Sequence, residues 1–267
     1  MNYLMICGNA SIAKYVCDKG VDTIFVDLER KGKFARQGHG TWISNHDFET
    51  VSSVRNAINN DLLVRIDPFH SESMAQIDEV ISRGADSIML PMIKNISEVE
   101  SFLNIIEKKA RKILLIETKE SLQIIDEIIN LKDFEGIYIG LNDLHISLGH
   151  RFMFESLING IMDNLAKKLV ANNIPFGFGG IGPIGKGDLK AEIILSEHIR
   201  LKSNSVILSR SFHQNSSNIF ELEEKINFEK ELFKLKKAEL ELKKLSDFEL
   251  NINHEDCRKQ INSIIGT

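Results

Sequence analysis

The chain has 267 residues, of which 43% are hydrophobic and 27% are charged, and its formal net charge is −5. This size and mixture are typical of one globular domain with a sizeable core, and the acidic balance without a basic stripe speaks against nucleic acid as a partner. The amino-terminal segment lacks the pattern of a secretory signal, and no run of 18 apolar residues predicts a membrane span. Three cysteines without CxxC or zinc spacing indicate reduced thiols in a cytoplasmic protein.

Short apolar runs alternate along the chain with longer stretches that have helical periodicity. The runs are 4–7, 23–26, 62–66, 87–90, 113–116, 136–139, 175–178 and 205–208. Runs of this kind are typical of parallel strands buried on both faces. Between them, Asn95 and Glu98 resemble a capping box at the start of a helix. Eight strand–helix repeats predict a closed (β/α)₈ TIM barrel. A doubly wound open sheet is the alternative, but Gly8-Asn9-Ala10 is no GxGxxG turn after the first run.

In such a barrel, functional side chains lie at or just beyond the carboxyl ends of the strands. Polar residues follow nearly every predicted strand. They are Asp27, Glu29, Arg30, Arg65, Glu117, Gly140, Asn142, Asp143, Gly180, Lys186 and Arg210. The carboxylates among them suit a hard divalent cation, and the basic residues suit an anion.

Four segments, VRIDP (64–68), GADSIMLPMI (84–93), IETKES (116–121) and IGLNDLHISLG (139–149), resemble the HpcH/HpaI aldolase family, which is related to the citrate lyase β-chain. The similarity keeps its order from about residue 3 to residue 212. It implies a metal-dependent (class II) enzyme that makes or breaks a carbon–carbon bond beside a 2-oxo acid, usually pyruvate. It also implies that Glu117 and Asp143 hold the divalent ion and that Arg65 binds the carboxylate of the oxo acid.

The chemistry of these residues agrees with the resemblance. Two carboxylates with open positions left for water and substrate suit Mg²⁺ or Mn²⁺, which could polarise the 2-oxo oxygen as an enolate forms. The alternatives are a structural role for both carboxylates, as helix caps or ion-pair partners, and an ion pair of Arg65 with Asp27 or Glu29. Gly140 is expected to donate its backbone amide to the substrate, or else to serve a tight turn.

One position departs from the family pattern. Typical members have a histidine for proton transfer in a D-x-E-H motif after the second strand, and this chain has Arg30 there instead. His39 and His46 in the following loop are candidate replacements, because imidazole titrates near neutrality. Asp27, Glu29 and Arg30 are expected to serve proton transfer or the second substrate. Arg30, Lys31, Lys33 and Arg36 form either an anion clamp or an exposed basic patch.

A glycine-rich segment, 179–187, leads into a predicted helix near Asp188. Exposed amides, a helix amino terminus and Lys186 would together bind an anion, with Arg210 and neighbouring serines contributing from the eighth strand. We therefore expect Gly180, Lys186, Arg210, Gly140 and Asn142 to bind substrate. A phosphate or a second carboxylate on that substrate would fit this side of the site.

The composition changes near residue 217, so that 1–216 is expected to form the barrel and 217–267 a helical extension. The extension is predicted to break near Ser246, with Leu222, Ile226, Phe233 and Leu240 near one face. Two interpretations of this extension are possible: it is the eighth barrel helix with a solvated continuation, or it is a subunit contact. Members of the resembled family tend to be oligomers that exchange such helices, so we expect a homo-oligomer.

The leading hypothesis is a Mg²⁺- or Mn²⁺-dependent lyase or aldolase that acts through the enolate of pyruvate or a related 2-oxo acid. A second hypothesis is an enzyme that acts on phosphoenolpyruvate or another phosphorylated acid, as the basic residues suggest. A third is a barrel that binds a metal and ligand without catalysis, which the missing histidine suggests.

Overall fold

A computed structural model of the chain describes residues 1–32 and 44–266. Eight strands, all parallel to their neighbours, close into a barrel in sequence order. The strands are β1 Asn2–Ile6, β2 Thr23–Asp27, β3 Asp61–Arg65, β4 Ser87–Leu90, β5 Arg111–Ile116, β6 Gly136–Ile139, β7 Phe176–Ile181 and β8 Ser205–Leu208. The predicted (β/α)₈ barrel is therefore confirmed.

The helices described are α1 Ala10–Asp18, α2 Phe48–Ala57, α3 Ser73–Ser82, α4 Ile96–Ile106, α5 Lys119–Gln123, α6 Ile125–Leu131, α7 Leu141–Leu148, α8 Ile161–Ala171, α9 Ala191–Arg200, α10 Ile219–Lys225, α11 Phe228–Leu242 and α12 Asp247–Ile265. Short 3₁₀ turns at Glu155–Leu157 and Arg210–Phe212 complete the set. Asn95 caps α4 as predicted, because its side chain accepts a hydrogen bond from the Glu98 amide at 3.1 Å. None of these helices is both long enough and apolar enough to cross a membrane.

The strands are buried on both faces, which explains why their sequences are continuous apolar runs. Inward-pointing side chains form a separate small cluster inside the barrel, made of Leu4, Phe25, Leu63, Met89, Leu115 and Tyr138. Outward-pointing side chains pack against the apolar faces of the helices in a much larger cluster. The interior is thus a packed plug, which leaves only the ends of the barrel for ligands.

Strand β7 runs to Ile181, beyond the predicted end at residue 178. Its pairing with β8 shifts register between Gly177 and Gly180. Irregularities of this kind bend a strand and change the direction of its side chains, and they are common at barrel rims. Beside this strand, His198 of α9 is fully buried and stacks on Phe178 at 3.7 Å between ring centroids. His198 is thus a packing residue of the layer between α9 and the barrel.

The carboxyl-terminal extension is helical and breaks at Ser246, where Ser246 and Glu249 form a capping box at the start of α12. The predicted apolar face is wrong at two positions, since Phe233 is 67% exposed and Leu240 is 61% exposed. Residues one position away, Leu232 and Glu239, are buried in their place. Glu239 is held by the Tyr3 hydroxyl, which donates to it over 2.6 Å, so α11 is docked by a polar contact that hydrophobic periodicity does not reveal.

Candidate active site

A cavity of about 1080 Å³ opens at the carboxyl ends of the strands. Its lining includes every residue that we predicted to bind metal or substrate, namely Arg65, Glu117, Gly140, Asn142, Asp143, Gly180, Lys186 and Arg210. Asp27 and His46 line it as well. One barrel face therefore collects these side chains from six of the strands and the loops that follow them.

Buried charge is concentrated on the side of the cavity built by β2, β3, β5 and β6. The carboxylates of Asp27, Glu29, Glu117 and Asp143 are all buried there. Arg65 is the cation placed among them, with its side chain 13% exposed. We call these five residues the acidic cluster.

Arg65 at the end of β3 forms the ion pair that was one of its two predicted roles. Its Nε and Nη2 donate to the two oxygens of Asp27 at 2.9 and 2.8 Å, and Nη2 lies 3.3 Å from Glu29 Oε2. Burial acts to lower the pKa of Arg65, but Asp27 and Glu29 outweigh it and raise that pKa above its usual value. One edge of the guanidinium is thus occupied, and Nη1 is the part left for a ligand.

Glu117 follows β5 and is held by a strained neighbour. Its Oε1 accepts a hydrogen bond from the Met92 amide at 3.1 Å, and Met92 has a φ of 54°, a left-handed conformation that is uncommon outside glycine. Burial raises the pKa of Glu117 to about 8; Arg65 opposes this shift, and the charges of Glu29 and Asp143 add to it. The protonation of Glu117 therefore depends on its burial and on three charged neighbours.

Gly140, where β6 meets α7, has a different role from the predicted amide donor. Its N–H already donates to the Ile116 carbonyl at 3.0 Å. A Cβ atom at this position would lie 2.6 Å from Glu117 Oε2 and 2.9 Å from Glu117 Cβ. Glycine is required here because the Glu117 side chain fills the space that any other residue would occupy.

The donor set fits a hard divalent cation. Among the described residues, no group of three or more histidine, cysteine, aspartate or glutamate side chains could hold a metal ion. Mg²⁺ and Mn²⁺ sites are often made by one or two carboxylates, with water and substrate oxygens supplying the rest. Glu117 and Asp143 are both buried, and the charge of Asp143 acts on Glu117, so the two carboxylates match that pattern.

Arg30, expected to serve proton transfer, the second substrate or an anion clamp, does not line the cavity. Its guanidinium donates to the His46 carbonyl at 2.7 Å, its backbone amide donates to Asp67, and it is exposed and outside the cavity lining. Glu29 is fully buried and also outside the lining, so its contribution is electrostatic. His39, Lys33 and Arg36 lie outside the described residues.

His46 does line the cavity, next to the acidic cluster. Its Nδ1 accepts a hydrogen bond from the Asp27 amide at 3.1 Å. A Cβ at Gly8 would lie 2.3 Å from both Cδ2 and Nε2 of this ring, so the glycine after β1 makes room for it. His46 is thereby fixed in position by the backbone of two neighbouring strand ends.

The opposite side of the cavity, built by β7 and β8, carries hydrogen-bond donors. Lys186 and Arg210 line it, together with Ser209 and Ser211, whose hydroxyl oxygens are 2.6 Å apart. We call these four residues the donor wall. It lies at the same end of the barrel as the acidic cluster, so one ligand could contact both.

The glycine-rich loop is a poorer anion site than its sequence suggested. The Gly185 amide donates to the Glu192 carboxylate at 2.9 Å, and the Lys186 amide donates to the Pro183 carbonyl at 3.0 Å. Helix α9 begins at Ala191, after Asp188, with no side-chain cap. The Gly185 and Lys186 amides are therefore already engaged within the chain, whereas the Lys186 residue lines the cavity.

Sequence reasoning missed His213, which follows the 3₁₀ turn after β8 and lines the cavity. Burial lowers the pKa of His213, and the nearby Arg210 and His46 lower it further. Its position beyond the end of a barrel strand was the signal that could have identified it.

Comparison with known proteins finds solved structures that share the fold of this chain and a protein family whose model matches it. The family model for "HpcH/HpaI aldolase/citrate lyase" matches residues 5–155, more than half of the chain. No functionally curated protein sequence matches significantly.

Solved structures with the same fold include an HpcH/HpaI aldolase from Desulfitobacterium hafniense DCB-2, at 14% identity and a TM-score of 0.59, over 78% of this chain and 85% of that one. An HpcH/HpaI aldolase/citrate lyase family protein from Burkholderia cenocepacia J2315 is 13% identical, with a TM-score of 0.62, over 79% and 89% of the two chains. The citrate synthase SbnG is 16% identical, with a TM-score of 0.60, over 78% and 86%. The protein belongs to the HpcH/HpaI aldolase/citrate lyase family, as a divergent member with Arg30 in place of the usual histidine.

Proposed function

We propose that the protein is a Mg²⁺- or Mn²⁺-dependent carbon–carbon lyase or aldolase that acts through the enolate of pyruvate or a related 2-oxo acid. The observation that carries the proposal is the acidic cluster, in which four buried carboxylates surround one arginine at the catalytic face of the barrel. A divalent cation that binds there would stabilise buried carboxylates clustered in this way. Family membership supports the same class of reaction.

Four residues of the acidic cluster would act directly on the metal or the substrate in this proposal. Glu117 and Asp143 would hold the cation, which when bound would supply a Lewis acid beside the 2-oxo group. Arg65 would bind the substrate carboxylate through Nη1, while Asp27 fixes the other edge of the guanidinium. Asp27 also lines the cavity and is our candidate for the group that takes the methyl proton.

Deuterium exchange at the methyl group of pyruvate tests this function directly, because exchange requires the enolate but no second substrate. We expect metal-dependent exchange by the wild type and a loss of about 100-fold or more in Glu117→Gln, a change comparable to the removal of one key electrostatic group. Glu120→Gln is the matched control, since Glu120 is exposed on α5. Wild-type protein that exchanges nothing, or Glu117→Gln that exchanges normally, would rule out the enolate mechanism. Measurable exchange would in turn exclude the non-catalytic alternative.

The donor wall favours a second candidate, an enzyme that acts on phosphoenolpyruvate or another phosphorylated acid. Lys186 and Arg210 would interact with a phosphate, and the hydroxyls of Ser209 and Ser211 would add hydrogen bonds. Thermal shift measurements with Mg²⁺ and either pyruvate or phosphoenolpyruvate separate the two candidates. Stabilisation by phosphoenolpyruvate that Arg210→Met abolishes would support the second, and a response to pyruvate alone would support the first.

A further inference from the structure

The two ring nitrogens of each cavity histidine are not equivalent. In each ring one nitrogen accepts a hydrogen bond from the backbone, which leaves the other for a ligand. His213 Nδ1 accepts a hydrogen bond from the Asn215 backbone amide at 3.1 Å. A nitrogen that accepts from an N–H cannot itself carry a proton, so the neutral ring has its proton on Nε2. His213 lines the cavity, and Nε2 is the ring nitrogen left to serve as an N–H donor there.

The turn that makes this hydrogen bond is strained. Gln214 and Asn215 have φ values of 51° and 52°, so two successive non-glycine residues adopt left-handed conformations. Such conformations are uncommon for residues with a side chain and persist where surrounding contacts impose them. Their local result is that the Asn215 amide points at the ring of His213 and holds the ring in one tautomer.

His46 is held in the same way from the other side of the cavity. Its Nδ1 accepts from the Asp27 amide, and its neutral ring is likewise protonated at Nε2. A general base needs an unprotonated nitrogen toward the substrate, and neither histidine offers one in this arrangement. The two rings thus do not take over the proton-accepting role of the missing family histidine.

Burial and the nearby Arg210 favour the neutral form of His213. It follows Arg210 by three residues, and both line the same cavity as Lys186. Burial, with Arg210 and His46 nearby, lowers the pKa of His213 below its usual value. A neutral imidazole N–H can polarise a carbonyl oxygen without transferring its proton, as it does in other barrel enzymes.

We propose that His213 Nε2–H is a hydrogen-bond donor to the carbonyl oxygen of the second substrate, an aldehyde or keto acid, and that Arg210 lies beside it to bind the same molecule. This proposal rests on the function proposed above and names the residue that serves its second substrate. The enolate carbon bonds to the carbonyl carbon, and the π electron pair moves onto the oxygen that His213 contacts. The alkoxide then takes a proton from water, and His213 keeps its own proton throughout.

The tautomer is tested on the wild-type protein by ¹⁵N NMR of histidine-labelled enzyme at pH 7.5, with the signal assigned from its absence in His213→Gln. We expect a neutral ring protonated at Nε2. An imidazolium signal, or a neutral ring protonated at Nδ1, overturns the proposal whether or not any variant folds.

The role is tested with two reactions, methyl exchange of pyruvate alone and condensation of pyruvate with glyoxylate, both with Mg²⁺. His213→Leu, which has no donor, should slow condensation by about 100-fold and leave exchange unchanged. His213→Gln, whose amide can replace the N–H, should stay within about tenfold of wild type in condensation. His70→Leu is the control, because His70 lies outside the cavity lining.

The outcomes separate the two proposals. Absence of methyl exchange in the wild type refutes the proposed function itself. Exchange without condensation in the wild type overturns the carbonyl-donor role of His213. Equal losses in His213→Leu and His213→Gln indicate proton transfer and overturn that role as well, as does normal condensation in His213→Leu.

Discussion

At the scale of single residues, the site depends on which polar atoms are already satisfied within the chain. Two nitrogens of Arg65 donate hydrogen bonds to Asp27, so a substrate carboxylate can reach only the remaining edge of the guanidinium. Glu117 has one oxygen on the Met92 amide, which leaves Oε2 facing Gly140. These contacts hold the charged groups in fixed positions before any ligand binds, which reduces the cost of ordering them on binding.

Metal affinity should depend on pH because of Glu117. Its raised pKa of about 8 means that the carboxyl group of the metal-free protein holds a proton at neutral pH, and a cation must displace that proton. We expect the affinity for Mn²⁺ to rise about tenfold per pH unit up to about pH 8 and then to level off. Titration calorimetry from pH 6 to 9 measures this slope. A flat profile below pH 8 would show that Glu117 is ionised without metal.

The ion pair of Arg65 should contribute strongly to stability. Arg65→Met removes the buried cation that contacts Asp27 and Glu29, and the loss of one partner of a buried pair costs about 3–5 kcal/mol. Arg111→Met is the control, because Arg111 and Asp61 form a 2.8 Å pair that is about half exposed and should contribute at most about 1 kcal/mol. Urea denaturation gives both free energies of unfolding. Equal values for the two variants would contradict the difference in burial.

At the scale of elements, the junctions between strands and helices position the site more than the strands themselves do. The β6–α7 junction shows this, because Gly140 leaves space for Glu117 while Asp143 lies in the first turn of α7. The carboxyl-terminal helices reinforce the neighbouring part of the barrel. Glu197 of α9 is fully buried and accepts hydrogen bonds from Arg200 and from His254 of α12.

A methyl group at the β6–α7 junction should displace the metal ligand. In Gly140→Ala the new Cβ would overlap Glu117 Oε2, so the carboxylate must move, and we expect Mn²⁺ affinity to fall about 10–100-fold. Gly149→Ala at the end of α7 is the control. Its φ of 71° makes alanine cost about 1 kcal/mol of stability, but a Cβ there meets nothing within 4 Å. Similar metal affinities in the two variants would exclude the steric role of Gly140.

At the scale of the whole molecule, one cavity brings together two sides of opposite character. The acidic cluster comes from β2, β3, β5 and β6, and the donor wall comes from β7 and β8. This division suits a reaction with two substrates, one bound through a cation and the other through hydrogen-bond donors. The net charge of −5 does not reveal this pattern, because it sums the charged residues of the whole chain whatever their position.

The whole molecule also presents apolar side chains that a partner subunit could cover. Phe248 and Ile252, one turn apart on α12, are 73% and 55% exposed. We expect a homo-oligomer in which this face is a subunit contact, so that Phe248→Glu with Ile252→Glu lowers the mass found by sedimentation. Phe233→Glu on α11 is the control for an exposed phenylalanine elsewhere. A monomeric wild type, or a double variant of unchanged mass, would refute this contact.

The sequence by itself determined the barrel and the position of its catalytic face. Buried parallel strands leave continuous apolar runs, and closure of the barrel brings their carboxyl ends together, so Glu117 and Asp143 could be placed side by side from their order alone. The tertiary structure alone decided which partners their neighbours take. Arg65 donates hydrogen bonds to Asp27, Arg30 donates to the His46 carbonyl, and the Gly140 amide donates to the Ile116 carbonyl. These contacts depend on distances between segments that are separated along the chain. His213 could be assigned to the site only from the folded chain, because the sequence does not show which residue beyond β8 lines the cavity.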